Sequence, residues 1–177
     1  MADQQKFEVK VSKKYENSEL RAIGQEVIDY IVKRTQQGLD KNNKNLPSYS
    51  KSYMKSLDFK IAGKTKNVDL TLSGDMLSLL QVLKIEEGKI VIGYKSGDKI
   101  NGRVEGNILG TYGQPTPIKG KKRDFLGIAK SDLKDEILAY YPLSDREESL
   151  ARADQIKTLI KESKTEQDIL VEDATDG

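Results

Sequence analysis

The side chains that could do chemistry in this chain are carboxylates, lysines and hydroxyls, because histidine and cysteine are both absent. Without histidine there is neither the commonest general base nor the commonest transition-metal ligand. Without cysteine there is no disulfide, thiolate metal site or thiol nucleophile. Clustered acids remain: Glu86 with Glu87, and Asp132 with Asp135 and Glu136. Such groups can serve proton transfer or bind hard cations. One cluster falls in an expected hairpin turn and the other in the first turn of an expected helix, where solvation and the helix dipole account for them. Gly102, Gly106, Gly110 and Gly113 match neither G-x-G-x-x-G nor a Gly-Lys-Ser/Thr phosphate loop. No base or oxyanion pattern accompanies a Ser or Lys nucleophile. The sequence therefore argues against an enzyme, and no metal or cofactor is expected.

Two other groups could meet a partner. Lys119, Lys121, Lys122 and Arg123 form a basic cluster. It could give salt-dependent contact with phosphates, hydrogen-bond a neighbouring subunit, or simply be a solvated loop. Tyr49 and Tyr53 lie four apart between Ser and Lys residues. They read either as a pair on an exposed turn or as an interface anchor, an apolar body with a polar tip. The net charge of +2, from 30 basic and 28 acidic residues, describes a mixed surface and not a polybasic nucleic-acid binder.

The elements that must position these residues belong to an α+β fold. A chain of 177 residues is one domain with room for an appendage. With Trp absent and only three Phe, the core must be aliphatic with some Tyr. Phe7, Val9 and Val11 alternate with charged residues, a strand signal. Asn17 and Ser18 offer an N-cap, and Leu20, Ile23, Val27, Tyr30 and Ile31 give an amphipathic helix ending near residues 36–38. Gly24 lies on its apolar side, which suggests the close approach of another backbone. Residues 38–67 read as a long polar arm with at most short helical turns. Val68, Leu70 and Leu72 alternate as a strand, and Ser73 can cap a short helix over 74–80, with Leu72, Met76 and Leu79 expected in the core. Residues 82–94 predict a hairpin, with Leu83 and Ile85 on one face, Glu87-Gly88 as the turn, and Ile90, Ile92 and Tyr94 returning. Ile100, Val104 and Ile108 predict a helix over 98–109, residues 110–123 a Gly/Pro-rich arm, and Phe125, Leu126 and Ile128 a strand. Ser131 can cap a helix stopped by Pro142, and Ser144-x-x-Glu147 a last helix. The expected division is 1–142 for an α+β domain, a small antiparallel sheet packed by the N-terminal helix, and 143–177 for a helical extension with an acidic tail. The N-terminus has no apolar signal-peptide core, and no apolar run approaches the ~20 residues that span a bilayer. Those features fit a protein made and used in a cytoplasm, or in something assembled there.

Four fragments taken in order carry a family resemblance: Arg34-Thr-Gln-Gln-Gly38, Leu46-Pro-Ser-Tyr49-Ser-Lys-Ser-Tyr53, Leu70-Thr-Leu72-Ser73-Gly74-Asp-Met76-Leu-Ser-Leu79, and Arg123-Asp-Phe125-Leu126-Gly-Ile. The set, over roughly residues 18–140, resembles the tailed-phage virion-morphogenesis or tail-completion family. Ser73 stands where Thr is frequent, and Asp124 where Pro is more usual. The resemblance implies a structural neck protein that joins the DNA-filled head to the tail, of the tail-completion or tail-terminator type. It implies a homo-oligomeric ring, hexameric, with connector and tail-tube proteins as neighbours. DNA would pass through the lumen without specific binding, and no membrane would be involved. On this reading Leu70, Leu72, Met76, Leu79, Phe125 and Leu126 are core positions, and Tyr49 and Tyr53 face an interface. The helix beyond Ser144 is expected to dock on a partner or a neighbouring subunit. The competing reading is a monomeric nucleic-acid-binding or regulatory module that uses Lys119–Arg123 and the basic arm at 51–66.

Overall fold

Alternating burial makes residues Lys6–Lys10 a strand, β1, with Val9 turned into the core. The computed structural model that displays it describes residues 3–61, 63, 68–70, 75–112, 114–143 and 156. β2 (Gln81–Glu86) and β3 (Lys89–Gly93) form the hairpin, and the sheet order β1-β3-β2 is antiparallel throughout. Gly88 closes the turn at a φ of 68°, a conformation that a side chain resists. β3 is the central strand, and Ile90 and Ile92 are fully buried.

The register corrects the expected hairpin face. Val82 pairs with Ile92 and Ile85 with Ile90, so β2 carries one extra residue at Leu83. A bulge of this kind reverses the pleat on one side of itself. Val82, not Leu83, therefore shares the core side with Ile85.

Helix α1 (Asn17–Gln36) lies on β2 and β3 and buries Leu20, Ile23, Val27 and Ile31 at spacings of three and four. Its start also departs from expectation. The N-cap is Glu16, whose N–H donates to Glu19 Oε2 at 2.9 Å, so Asn17 and Ser18 fall inside the first turn. Gly24 admits side chains and not a backbone: a Cβ there would stand 2.7 Å from Val82 Cγ2 and 3.1 Å from Ile90 Cγ2. The backbone approach occurs at Gly93, where a Cβ would meet the Gln5 carbonyl and lie 2.7 Å from Lys6 Cα.

The polar span after α1 folds more than its composition suggests. It contains short helices α2 (Lys51–Met54) and α3 (Leu57–Ile61), and it buries Leu46, Tyr49 and Phe59. Val68 and Leu70 are buried but not in a strand, and Leu70 sits at φ 53°. Helix α4 (Asp75–Ser78) sends Met76 and Leu77 inward and is followed by buried Leu80. Leu79 is 40% exposed, so the expected core position is filled by its neighbours. Leu72, Ser73 and Gly74 lie outside the described residues, as do the expected cap and helix at Ser144–Glu147.

Helix α5 (Ile100–Leu109) matches its periodicity and ends at left-handed Gly110. Phe125 and Leu126 are buried as expected, but residues 125–128 form a bend and not a strand. The carbonyls that would join a sheet ladder are taken by an arginine side chain described below. Helix α6 (Lys130–Asp132) begins one residue before Ser131, with Ala129 as its N-cap, and continues as a π-helical turn (Leu133–Ile137) and a 3-10 turn (Leu138–Tyr140). The chain divides into compact units at 1–138 and 139–177.

The fit at Gly24 sets a test. Alanine in a helix interior gains about 1 kcal/mol over glycine, but overpacking costs about 1–3 kcal/mol. Gly24→Ala is expected to lower unfolding free energy in urea, and adding Val82→Ala is expected to recover part of the loss. A Gly24→Ala protein more stable than the parent would show that the helix and sheet have slack at this point.

Candidate interaction site

The last turn of α1 places Arg34 on the apolar stripe, the next position after Ile31 at helical spacing, and it is only 3% exposed. One of its terminal nitrogens donates to the carbonyls of Phe125 at 2.7 Å and Gly127 at 3.0 Å. Its Nε and Nη1, and Thr35 Oγ1, have no partner among the described residues. Burial lowers the Arg34 pKa, opposed by Tyr30 and by the charges of Asp132, Asp40 and Asp124. The group stays cationic at any ordinary pH. This side chain fixes the 125–127 bend in place of a sheet ladder.

Around Arg34 the acidic groups are already engaged. Asp132 Oδ2 accepts from the Tyr30 hydroxyl at 2.8 Å and from Asn43 Nδ2 at 2.9 Å. Partial burial pushes the Asp132 carboxyl up, but hydrogen bonds from Tyr30, Asn43 and Ser131 outweigh it and hold the pKa below the usual range. Asp124 pairs with Lys41 at 2.7 Å. Glu86 is lowered by hydrogen bonds from Lys84 and Lys89 on the exposed hairpin, far along the fold from this cluster. Asp135 and Glu136 are exposed on the π-helical turn.

Arg123 is the second buried cation, 7% exposed. Its Nε donates to the Pro47 carbonyl at 3.2 Å, with longer contacts to Ser48 O and Asn107 Oδ1. The guanidinium lies 4.9 Å from the Tyr49 ring centre and 5.3 Å from that of Tyr112. Each such contact contributes about 0.5–2 kcal/mol, more where water is excluded. Tyr49, Tyr53 and Phe59 complete the cluster, with ring centres 5.1–5.7 Å apart and tilted or edge-on. Ser50 starts α2 by accepting the Tyr53 N–H, which sets the two tyrosines one turn apart.

The sequence candidates separate cleanly in space. Tyr49 and Arg123 are buried and committed to each other. Lys121 Nζ donates to the Ser48 carbonyl at 2.8 Å, so it too holds the loop. Tyr53 is half-buried at the rim, and Lys119 and Lys122 are exposed. Sequence reading missed Asn107 and Tyr112, whose hydroxyl donates to Lys121 O at 2.6 Å. It also missed Asn101, 1% exposed, which accepts the Gln5 N–H at 2.8 Å and donates to Lys95 O and Asp98 O. Asn101 and Asn107, three residues on either side of Val104, carried no apolar signal. Arg34 could have been found, since it continues the α1 stripe.

Beside the clamp runs a groove of about 880 Å³. Tyr53, Leu70, Met76, Ile118 and Gly102 line it, and Lys99 and Arg103 also face it. Among the described residues no group of three His, Cys, Asp or Glu could hold a metal ion, and no helix is long and apolar enough to cross a membrane. The described residues thus form an apolar trough with cations at its edge. No family model, no curated protein and no solved structure matches the chain.

Two outcomes test this site. Arg123→Ala removes the clamp on Pro47 and Ser48, and trypsin is expected to cut faster at exposed Lys51, Lys55 and Lys60, with Arg123→Lys intermediate because it lacks the planar fork. Cleavage at the parent rate would mean that the loop is held by other contacts. The second outcome concerns alkaline pH. Burial raises the pKa of Tyr49, Tyr53 and Tyr112 above 10.0, and most strongly that of Tyr94, whose hydroxyl donates to Met76 O at 2.6 Å. Each group is neutral when folded, so its stabilisation is intact below pH ~10 and is lost as pH rises from there through the folded pKa. Urea unfolding across that range should show falling stability, together with late tyrosinate absorbance. Ionisation of all the tyrosines at the free-residue value without unfolding would contradict it.

Proposed function

We propose that this chain is a structural subunit of a tailed-phage neck, a tail-completion or tail-terminator type of protein that joins the DNA-filled head to the tail as part of a ring. The observation that carries the reading is the meeting of three of its motif fragments in one lobe, with the described part of the remaining one linked to them through Asn107. Arg34, from the first, grips the carbonyls of Phe125 and Gly127, from the last. Arg123, from the last, grips Pro47 and Ser48, from the second. The third is linked to the last through Asn107, whose Nδ2 lies 3.8 Å from the Met76 sulfur and whose Oδ1 contacts Arg123. Fragments that matter to one another in this way support the resemblance better than their order alone.

The surface fits the role. Leu57 and Ile61, one turn apart on α3, are 69% and 75% exposed, an apolar strip suited to a neighbouring subunit. Residues 114–120 are exposed throughout and form the remaining candidate arm, whereas residues 46–61 are anchored by buried Leu46, Tyr49 and Phe59. The near-neutral charge suits a channel through which DNA slides without being gripped.

Particles assembled without this chain test the proposal by electron microscopy. Filled capsids beside unattached tails are expected. Complete, joined particles would exclude a neck role.

A further inference from the structure

The groove beside Arg123 has a floor of one chemistry and a rim of another. Leu70 and Met76 make the floor apolar, with the ring of Tyr53 and the exposed side chain of Ile118 beside them. Lys99, just before α5, and Arg103, on its first turn, are exposed at the rim. Among the described residues neither forms an ion pair and no carboxylate lines the groove. An occupant must therefore bring aliphatic side chains flanked by negative charge.

Stacked nucleobases suit it less well. The faces of Tyr49 and Tyr112 are turned to Arg123, and Tyr53 packs against Tyr49 and Phe59. The free floor is mainly aliphatic, and base recognition on single strands relies on open aromatic faces.

The chain itself contains a segment of the required composition. Residues 165–177 read Thr-Glu-Gln-Asp-Ile-Leu-Val-Glu-Asp-Ala-Thr-Asp-Gly, with five carboxylate side chains and no Lys or Arg. Ile169, Leu170 and Val171 stand together, with Asp168 before them and Glu172 and Asp173 after. We propose that the groove lined by Leu70, Met76, Lys99 and Arg103 binds residues 165–177 of a second copy of this chain. The aliphatic triplet fills the floor, and the flanking acids meet Lys99 and Arg103. A groove on one copy and a segment on the next make a heterologous contact, which repeats around a ring or along a filament. The inference needs only two copies of the chain and does not rest on the phage reading.

Charge reversal on the full-length chain tests it. Sedimentation equilibrium of the parent is expected to show concentration-dependent association, weaker at high salt because the rim charges are exposed. Lys99→Glu with Arg103→Glu should weaken association by about tenfold, and Asp168→Lys with Glu172→Lys by a similar factor. An equimolar mixture of the two doubly reversed proteins should recover association through two matched contacts between unlike copies, the unaltered tail in the unaltered groove and the reversed tail in the reversed groove. Thermal unfolding of each variant checks that the fold is kept, and the substituted groove positions are exposed. A fluorescein-labelled peptide of residues 165–177 should bind the parent and lose about tenfold on the Lys99→Glu, Arg103→Glu protein. The proposal is overturned if the parent stays monomeric and the peptide does not bind. It is also overturned if neither reversal changes association, or if the reversed proteins fail to recover when mixed. Tighter binding of a mixed-sequence single-stranded oligonucleotide than of the peptide, lost with Arg103→Glu, would give the groove to nucleic acid instead.

Discussion

Two buried guanidinium groups, each bonded to backbone carbonyls of a distant loop, are the constraint on which the rest of this protein depends. Leaving a charge unpaired in a protein interior is costly, and hydrogen bonds to charged groups contribute about 1.5–3 kcal/mol. Arg34 ties the end of α1 to the 125–127 bend, and Arg123 ties that segment to the Pro47–Ser48 turn. Among the described residues neither arginine has a carboxylate as its direct partner. Both bind main chain, so they specify where loops lie whatever side chains those loops carry. At Arg123, whose contacts come from Nε and both terminal nitrogens, a lysine would offer a point charge in place of that planar fork.

The consequence is a surface made of loops that is nonetheless shaped. The aromatic cluster of Tyr49, Tyr53 and Phe59 packs where Arg123 has set the chain, and α5 supplies the opposite wall of the groove. Preorganised loops lose less conformational entropy on binding than free ones. For a protein proposed to act as a building block, that matters more than any reactive group, because its work is to present the same faces to the same neighbours in every copy.

The parts of this arrangement that were legible in the sequence are those with a strong period. β1, α1, the 81–93 hairpin and α5 follow alternation or three-and-four spacing, and they appear near the expected bounds. The parts that were not legible depend on tertiary contacts. Leu83 looks like a core residue until a bulge is counted, and one extra residue exchanges the faces of β2. Phe125 and Leu126 look like a strand because burial alone suggests it, while the carbonyls of Phe125 and Gly127 are claimed by Arg34. Residues 46–61 look like a solvated arm because Ser and Lys dominate, although Leu46, Tyr49 and Phe59 suffice to anchor it. Arg123 looked like one cation in a basic run. Only the rings on either side of it reveal a buried clamp.

Native-state hydrogen exchange on the unmodified protein in low urea tests the central claim, that the two arginines make the motif segments one cooperative lobe. The amides of Leu46, Met54 and Arg123 donate to the carbonyls of Gly38, Ser50 and Asn107 and report on three parts of that lobe. They are expected to converge on one opening free energy and one urea slope, below that of Ile92 in the central strand. Exchange of Leu46 and Met54 at free-chain rates while Arg123 stays protected would contradict the account.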